Sequence, residues 1–318
     1  MAYPISATNP APGYQGATGA YPTTYSGTFI PEIWSTKLVE KYYDGTVLTQ
    51  ITNTDYEGEI QSHGDKVIIR TMPSVSIKQY EVGQTLETEF PEAPTIELLI
   101  DKGLYYQTAI DDIIQKQQDI DQMDLWGEDS SEQLKIQLDS EVLAYLPANV
   151  AAANTGAAAG AISGNINLGT QAVALALDKN NVLDTILYLG QVLDEQNVPE
   201  TGRFLVMPFF ATTLLKMSDI KDASLTGDGT SPLRNGMVGR IDRFTVYNSN
   251  LLPRNAGAGT EWGTVLLAGH KDAATFATQM TKTESLRAQS TFGDLMRGLV
   301  VYGYRMIKPE AMAVAYIQ

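Results

Sequence analysis

The chain has 318 residues, 43% of them apolar, which is enough for one large or two ordinary domains with a real core. It contains no cysteine, so disulfide frameworks and thiolate metal sites are excluded. The net charge of −15 arises entirely before residue 147, and such acidity argues against a protein that reads DNA sequence, though not against one that encloses DNA. No apolar run is long enough to span a membrane and no signal peptide is evident, so we expect a soluble, cytoplasmically made protein.

Residues 1–28 contain no charged residue and are rich in Pro, Gly, Ala, Ser, Thr and Tyr. The prolines exclude a helix, and the absence of hydrophobic periodicity excludes a stable strand. Tyrosine rings give contact area at a low entropy cost, so this arm is predicted to lie along a partner. Order is predicted to begin at Phe29, and a short amphipathic helix follows with Trp34, Leu38 and Val39 facing inward.

Residues 55–106 predict strands joined by turns. The segment 66–71 is rich in β-branched residues, and 96–100 and 103–108 are candidate return strands. A polar, glutamate-containing loop, residues 72–95, joins the segment 66–71 to the segment 96–100. Loops of this length are uncommon inside a compact domain. We therefore interpret this region as an extended hairpin that reaches off the body of the subunit onto a neighbour.

Residues 110–146 are dominated by strong helix formers, and their apolar residues recur at helical spacing. One continuous helix over this stretch would be about 50 Å long, at about 1.5 Å per residue, and would not fit inside a domain of this size. Acidic residues that favour helix caps allow a break. We predict a short helix near residues 111–118 and a long, strut-like helix from residue 121 or 124 to 146.

The second half of the chain alternates helices and strands. Residues 148–164 are rich in Ala and Gly, and their glycines favour a loop. A helix over 181–196, a buried strand over 203–207 and a helix beginning at Pro208 predict an α+β domain with a central sheet. Four further segments are predicted as strands: 244–247, 265–268, 299–307 and 313–317. Between them, residues 272–280 are predicted as a helix or a short strand.

Motifs for chemistry are mostly absent. The two histidines, His63 and His270, have no partner at metal-ligand spacing, so isolated surface histidines are expected. Two acidic pairs, Asp111 with Asp112 and Asp119 with Asp121, are of the residue type that a carboxylate metal site needs, but on an acidic helical face they are expected to be solvated. No phosphate-binding loop, calcium loop or nucleophile elbow is present. We predict no catalytic residue, cofactor or metal, and a protein that contacts copies of itself rather than an enzyme.

The order of these parts resembles that of the major capsid (coat) proteins of tailed bacteriophages with the Hong Kong 97-type fold. The end of that family's spine helix resembles residues 136–143 (IQLDSEVL), and its axial strand and following helix resemble residues 203–208 (RFLVMP). A characteristic strand and turn is similar to residues 239–253, and the final strand to residues 297–317. Asp242 departs from the pattern, since members often have glycine there.

The resemblance implies an α+β fold of the Hong Kong 97 type, with an N-terminal arm, an extended β-hairpin E-loop, a long spine helix, a peripheral domain and an axial domain. The corresponding residues are 1–28 for the arm, 29–55, 109–146 and 286–318 for the peripheral domain with its spine helix, 56–108 for the E-loop hairpin, and 147–285 for the axial domain.

The resemblance also implies a function. The protein would be a structural major capsid protein that self-assembles through arm and E-loop contacts into an icosahedral shell enclosing the phage genome. Its implied partners are itself as hexamers and pentamers, a portal, and double-stranded DNA bound without sequence specificity, with no membrane. The chain lacks a long charged helical segment that would act as a fused scaffold, so a separate scaffolding protein is implied. Its expected location is the virion capsid, after synthesis in the host bacterial cytoplasm.

The acid excess before residue 147 suggests how the loop is placed. We expect its glutamates to lie over basic groups of a neighbouring copy, with a solvated loop as the alternative because exposed ion pairs add little. The candidate contact residues are Glu81, Glu87, Glu89 and Glu92 on the loop and Arg240, Arg243, Arg287 and Arg297 on the neighbour.

Two other functions are weighed against a phage capsid. An encapsulin-like nanocompartment shell shares the fold, but the uncharged arm has no amphipathic helix that would hold cargo. A metal-dependent hydrolase that uses the acidic helix is a remote alternative, because no convergent set of ligands accompanies it.

Overall fold

The computed structural model describes residues 43–56, 66–73, 75–117, 122–218, 239–254, 263–288 and 292–318. The described residues belong to one compact unit, Tyr42–Gln318. Several predicted features lie outside them: the arm, the helix around Trp34, His63, and the acidic pair Asp119 and Asp121.

The elements are named in chain order. The helices are α1 (Leu48–Ile51), α2 (Asp112–Gln117), α3 (Gln122–Ala148), α4 (Val182–Glu195) and α5 (Phe209–Met217). The strands are β1 (Lys66–Arg70), β2 (Thr95–Leu99), β3 (Lys102–Asp111), β4 (Arg203–Met207), β5 (Arg240–Ile241), β6 (Phe244–Asn248), β7 (Thr264–His270), β8 (Ala274–Arg287), β9 (Gly293–Met306) and β10 (Met312–Ile317). Short 3-10 turns are present at Ala152–Asn154, Lys271–Ala273 and Pro309–Ala311.

The largest sheet has five strands in the order β10-β7-β4-β6-β5, and only the β4–β6 pair is parallel. β4 and β10 are buried at every position, because RFLVM and MAVAYI are nearly continuous apolar runs that need cover on both faces. α4 buries Val182, Ile186, Leu189 and Leu193, which recur at helical spacing on one face. The sheet and its helices confirm the predicted α+β arrangement.

A second sheet has three antiparallel strands in the order β3-β9-β8. β9 pairs with β3 over residues 293–302 and with β8 over residues 294–306. Lys102 lies opposite Tyr302, and Ala274 lies opposite Met306. The predicted domain boundaries at residues 108–109 and 285–286 fall within β3 and β8, which belong to one continuous sheet. The prediction of a helix or short strand at 272–280 is also too short, because pairing with β9 extends the strand to Arg287.

The predicted helix pair is confirmed as α2 and α3. α3 is about 40 Å long at about 1.5 Å per residue, and Pro147 lies in its last turn. Its C-terminal half buries Leu138, Val142, Leu143 and Leu146 in the main core. The long helix therefore anchors one end in the core and extends alongside the three-stranded sheet.

The predicted hairpin is present as an antiparallel pair, with Lys66 opposite Leu99 and Arg70 opposite Thr95. Its base packs in a small core that includes Leu98 and, from β8, Ala277. The described residues between β1 and β2 form no helix or strand. We call residues 71–94 the hairpin loop.

Two turns refine the sequence interpretation. Pro208 is the N-cap of α5 rather than its first residue, with an extended ψ of 155°. Asp242 has a φ of 50° in the turn between β5 and β6. This left-handed conformation suits glycine, and aspartate is among the few other residues that tolerate it, so the departure from the family pattern preserves the turn. None of the helices described here is both long and apolar enough to cross a membrane.

Candidate functional site

The hairpin loop carries a set of large apolar side chains that are exposed to solvent. Ile77 and Val82 are 99% and 98% exposed, and other residues of the loop share this exposure: Met72, Val75, Tyr80, Leu86 and Phe90. A concentrated set of exposed apolar side chains marks a surface that another molecule covers. The prediction of a polar loop was therefore incomplete. The sequence did contain a signal for these side chains: Val75 and Ile77, and likewise Tyr80 and Val82, are apolar residues two positions apart.

Two of the four loop glutamates act within the loop itself. The Glu87 carboxylate lies 2.7 Å from Lys78 Nζ, and Glu89 accepts a hydrogen bond from Ser76 Oγ at 2.5 Å. These contacts join the outgoing and returning sides of the loop. Within the described part of the chain, no ion pair involves Glu81 or Glu92, so their carboxylates remain open to a neighbour.

Two of the four candidate arginines lie at the β5–β6 turn. Arg243 donates from Nη1 to both carboxylate oxygens of Asp194 at 2.8 Å, and Glu200 is 3.2 Å away. This bond joins the turn to the end of α4. Arg240 is exposed, and it has no ion pair among the residues that the structure describes. Arg240 is therefore the more available of the two.

The other two candidate arginines lie on the three-stranded sheet and are also paired within the chain. Arg287 binds Asp112 of α2 and, at 3.1 Å, Asp294 of β9. Arg297 donates to Glu284 of the neighbouring strand at 2.7 Å. Within one chain, the structure thus brings none of the candidate glutamates onto a candidate arginine.

A polar cluster that the sequence did not reveal joins α3 to the three-stranded sheet. Glu141 accepts hydrogen bonds from Lys102 Nζ at 2.5 Å, from the Tyr302 hydroxyl at 2.5 Å and from the Tyr304 hydroxyl at 2.9 Å. Lys102 also lies 4.5 Å from the centre of the Tyr304 ring, a cation–π contact. The members come from three distant segments, so no local motif announces them.

Ionisation reinforces this cluster. Burial alone would raise the pKa of Glu141, but the hydrogen bonds from Lys102, Tyr302 and Tyr304 outweigh burial and lower it. The Glu141 carboxylate in turn raises the pKa of Lys102. The cluster is therefore an ionised, hydrogen-bonded contact that holds α3 on the sheet, rather than a group poised for proton transfer.

Asp139, two residues before Glu141 on α3, is fully buried. Its Oδ2 accepts a hydrogen bond from the Val47 backbone N–H at 3.0 Å and so ties the segment before α1 to α3. Its Oδ1 has no hydrogen-bond partner among the described residues. Burial raises the pKa of Asp139 to about 6, although backbone hydrogen bonds oppose the shift.

The raised pKa predicts a pH dependence of stability. The folded subunit holds a proton on Asp139 between pH 3.8 and about 6 that the unfolded chain releases. The stabilisation from this group is therefore fully present below pH 3.8 and is lost as the pH rises through about 6. Between pH 7 and pH 5 the wild-type subunit should gain about 1 kcal/mol relative to Asp139→Asn.

Urea unfolding of unassembled wild-type and Asp139→Asn subunits at both pH values measures this difference. Asparagine keeps an oxygen for the Val47 N–H but does not titrate, so it is the matched control. Equal changes in unfolding free energy between pH 7 and pH 5 in both proteins would contradict the assignment.

His270 has a structural role. Its Nδ1 accepts a hydrogen bond from the Asp272 backbone N–H at 3.2 Å, and its Nε2 lies 2.9 Å from the Thr201 carbonyl oxygen. It is partly buried, so its interpretation as a surface histidine is corrected. Over the described ranges, no three residues among His, Asp and Glu are grouped so that they could hold a metal ion.

Comparison with known proteins identifies the class to which this fold belongs. A structure from Mycobacterium phage Che8 is 26% identical and superimposes with a TM-score of 0.75, over 92% of this chain and 98% of that one. The capsid structure of the cyanophage P-SCSP1u is 16% identical, with a TM-score of 0.72 over 94% and 97% of the two chains. The mature capsid of bacteriophage PhiM1 is 15% identical, with a TM-score of 0.66 over 91% and 92%. The fold is thus the predicted Hong Kong 97-type capsid fold.

The model of the phage capsid protein family matches residues 105–315, and no curated protein sequence matches the chain. The chain belongs to the phage capsid protein family, and it is a structural major capsid protein of tailed phages, located in the virion capsid and assembled with copies of itself. The predicted family, fold and structural role are confirmed. Neither the encapsulin-like alternative nor the hydrolase alternative gains support from these matches.

Proposed function

We propose that the protein builds an icosahedral shell from hexamers and pentamers of itself, and that the hairpin loop joins one copy to the next. The observation that carries this proposal is the set of exposed apolar side chains on that loop, led by Ile77 and Val82. Covering each such side chain fully is worth about 1.5–3 kcal/mol. Repeated around a shell, contacts of this size sum to a stable assembly while each contact stays reversible.

We also propose a division into an arm, a loop hairpin, a peripheral domain and an axial domain, with the uncharged arm of residues 1–28 making further contacts with neighbours. The two separate sheets support this division. We assign the five-stranded sheet with α4 and α5 to the axial domain, including β10, which the predicted bounds of 286–318 had placed in the peripheral domain. We assign the three-stranded sheet with α3 to the peripheral domain. Since β8 pairs with β9, the boundary between these domains lies before Ala274, and the hairpin ends before Lys102.

The shell is proposed to enclose double-stranded DNA without sequence-specific contacts, which the net charge of −15 supports. Further proposed partners are a portal and a separate scaffolding protein. The subunit is made in the cytoplasm of the host bacterium. Its role is structural, with no cofactor and no catalysis.

The loop glutamates are proposed to contact basic groups of the neighbouring copy. Glu81 and Glu92 are the sharper candidates, because Glu87 and Glu89 already have partners within the loop. Arg240 is the favoured receiver, since Arg243, Arg287 and Arg297 would have to give up carboxylates of their own chain.

Charge reversal tests this contact. Glu81→Lys with Glu92→Lys should slow shell assembly at low salt, and added salt should reduce the difference from wild type because it screens exposed charges. Light scattering during assembly at two salt concentrations measures the effect. The matched control is Glu128→Lys with Asp124→Lys on α3, outside the loop. Identical rates for wild type and the loop variant at low salt would contradict the contact.

Electron microscopy and sedimentation velocity of the protein expressed alone in bacterial cells test the proposed function. Closed icosahedral particles, or closed particles after a scaffolding protein is supplied, are expected. A protein that stays monomeric at high concentration under both conditions would contradict the proposal.

A further inference from the structure

A long stretch of this acidic protein carries no charge and nevertheless lies at the surface. Every residue between Glu141 and Asp178 is uncharged. We call residues 147–177 the uncharged segment. It begins in the last turn of α3 and continues beyond it with little regular structure, and many of its positions are exposed: 157, 158, 161–165, 167, 171–173 and 176. Surface loops usually carry charge, so an exposed stretch without any requires a physical reason.

The tip of the uncharged segment presents an isoleucine in a fixed position. Ile162 is 82% exposed. Its backbone N–H and that of Ser163 donate to Glu195 Oε2 of α4 at 2.8 and 3.0 Å. These two backbone hydrogen bonds lower the pKa of Glu195 to about 2, so the carboxylate stays ionised and bonded at any physiological pH. Gly160 has a φ of 106°, which lets the chain turn sharply before the tip.

A second tip of the uncharged segment is built in a similar way. Val173 is 65% exposed, and the turn that presents it is closed by Thr170. The Thr170 N–H donates to the Val173 carbonyl oxygen at 2.8 Å, and the Val173 N–H donates to Thr170 Oγ1 at 3.0 Å. Two apolar side chains are thus held outward on hydrogen-bonded turns. Rigid apolar tips lose little conformational entropy when they are covered, which suits them to contact.

The distribution of charge indicates which molecule contacts the uncharged segment. Two copies of a chain with a net charge of −15 carry the same acidic surfaces, and juxtaposed like charges cost several kcal/mol at an interface. Depletion of charge is also the compositional signal of the core of a protein–protein interface. The uncharged segment lets two identical copies meet without that cost, whereas a basic partner would gain nothing from an uncharged surface.

We propose that the uncharged segment, centred on Ile162, is a contact surface for a second copy of this chain, separate from the contact made by the hairpin loop. This inference rests on the proposed function, since it concerns how copies meet inside the shell. Glu195 is the positioning residue of the surface: it fixes the tip and does not itself contact the neighbour.

The absence of cysteine makes a direct test possible, because Ile162→Cys creates the only thiol of the chain. The rate of its alkylation by iodoacetamide is measured in free subunits and in assembled shells. We expect at least tenfold slower alkylation in shells. The matched control is Lys179→Cys, an exposed position just after the uncharged segment, which should show a much smaller change.

Each outcome decides the inference. Loss of assembly in Ile162→Cys alone, with the control variant still forming shells, would also support it. Equal alkylation rates of the Ile162→Cys thiol in shells and free subunits would overturn it, as would equal slowing of both thiols. If wild-type protein forms no shells at all, the proposed function fails first and the inference falls with it.

Discussion

Replacing Ile77 and Val82 together with serine is expected to raise the protein concentration needed for shell assembly by about a hundredfold or more. Both side chains are almost fully exposed in the single chain. If a neighbour covers them in the shell, removing both forfeits about 3–5 kcal/mol per contact, and about 1.4 kcal/mol is a factor of ten in an equilibrium constant. The contact recurs at every subunit, so the loss is repeated around the shell.

The same substitution should leave the free subunit folded, because the residues it changes contribute no buried area within the chain. Sedimentation velocity across a concentration series measures assembly, and thermal unfolding of the free subunit checks the fold. The conservative pair Ile77→Leu with Val82→Ile keeps the apolar area and should assemble like wild type. Shell formation by the serine variant at wild-type concentrations would rule out the loop as an assembly contact.

Replacing Glu141 with leucine is expected to destabilise the subunit by about 2–3 kcal/mol, since it leaves the Tyr302 hydroxyl and Lys102 without their main acceptor. Loss of one partner from a fully buried ion pair costs about 3–5 kcal/mol, and the partial exposure of Glu141 and Lys102 reduces that figure. Because α3 is fixed to the sheet through this cluster, the variant should also assemble poorly.

The matched control for Glu141 lies on the same helix. Glu132 pairs with Lys135 at 2.6 Å in an exposed position, so Glu132→Leu should cost about 0.5 kcal/mol or less. The pKa of Glu141 is lowered in the folded state, so its contribution is present above pH 4.5 and is lost as the pH falls through the folded pKa. As the pH is lowered, the unfolding free energy of Glu141→Leu should therefore fall less steeply than that of the wild type. Similar unfolding free energies for the two variants in urea would contradict the role given to the cluster.

Elements with strong local patterns were predictable from the sequence. α3 follows from its many strong helix formers, α4 follows from the helical spacing of its apolar residues, and β4 and β10 follow from nearly continuous apolar runs. β8 was harder, because ATFATQMTKTESLR mixes polar and apolar residues and becomes a strand only by pairing with β9. Its extent depends on this pairing, and the domain boundary predicted at residues 285–286 therefore falls inside the strand.

The candidate site was likewise predictable only in part. The hairpin was predictable, but its apolar character was overlooked because its glutamates dominated the interpretation. The partners of Arg243 and Arg287 lie 49 and 175 positions away in the chain. Arg297 meets Glu284, 13 positions earlier, only because β8 and β9 pair. The sequence alone therefore offered all three arginines as free. The cluster around Glu141 likewise joins residues separated by up to 202 positions, the distance in sequence between Lys102 and Tyr304. Such contacts require the fold.

The most direct test of the central claim is a cryo-electron microscopy map of the assembled shell at a resolution that shows side chains. The account predicts that the hairpin loop of each subunit lies on a neighbouring copy, with Ile77 and Val82 buried in that contact. A shell in which residues 71–94 project into solvent and cover no neighbour would contradict it.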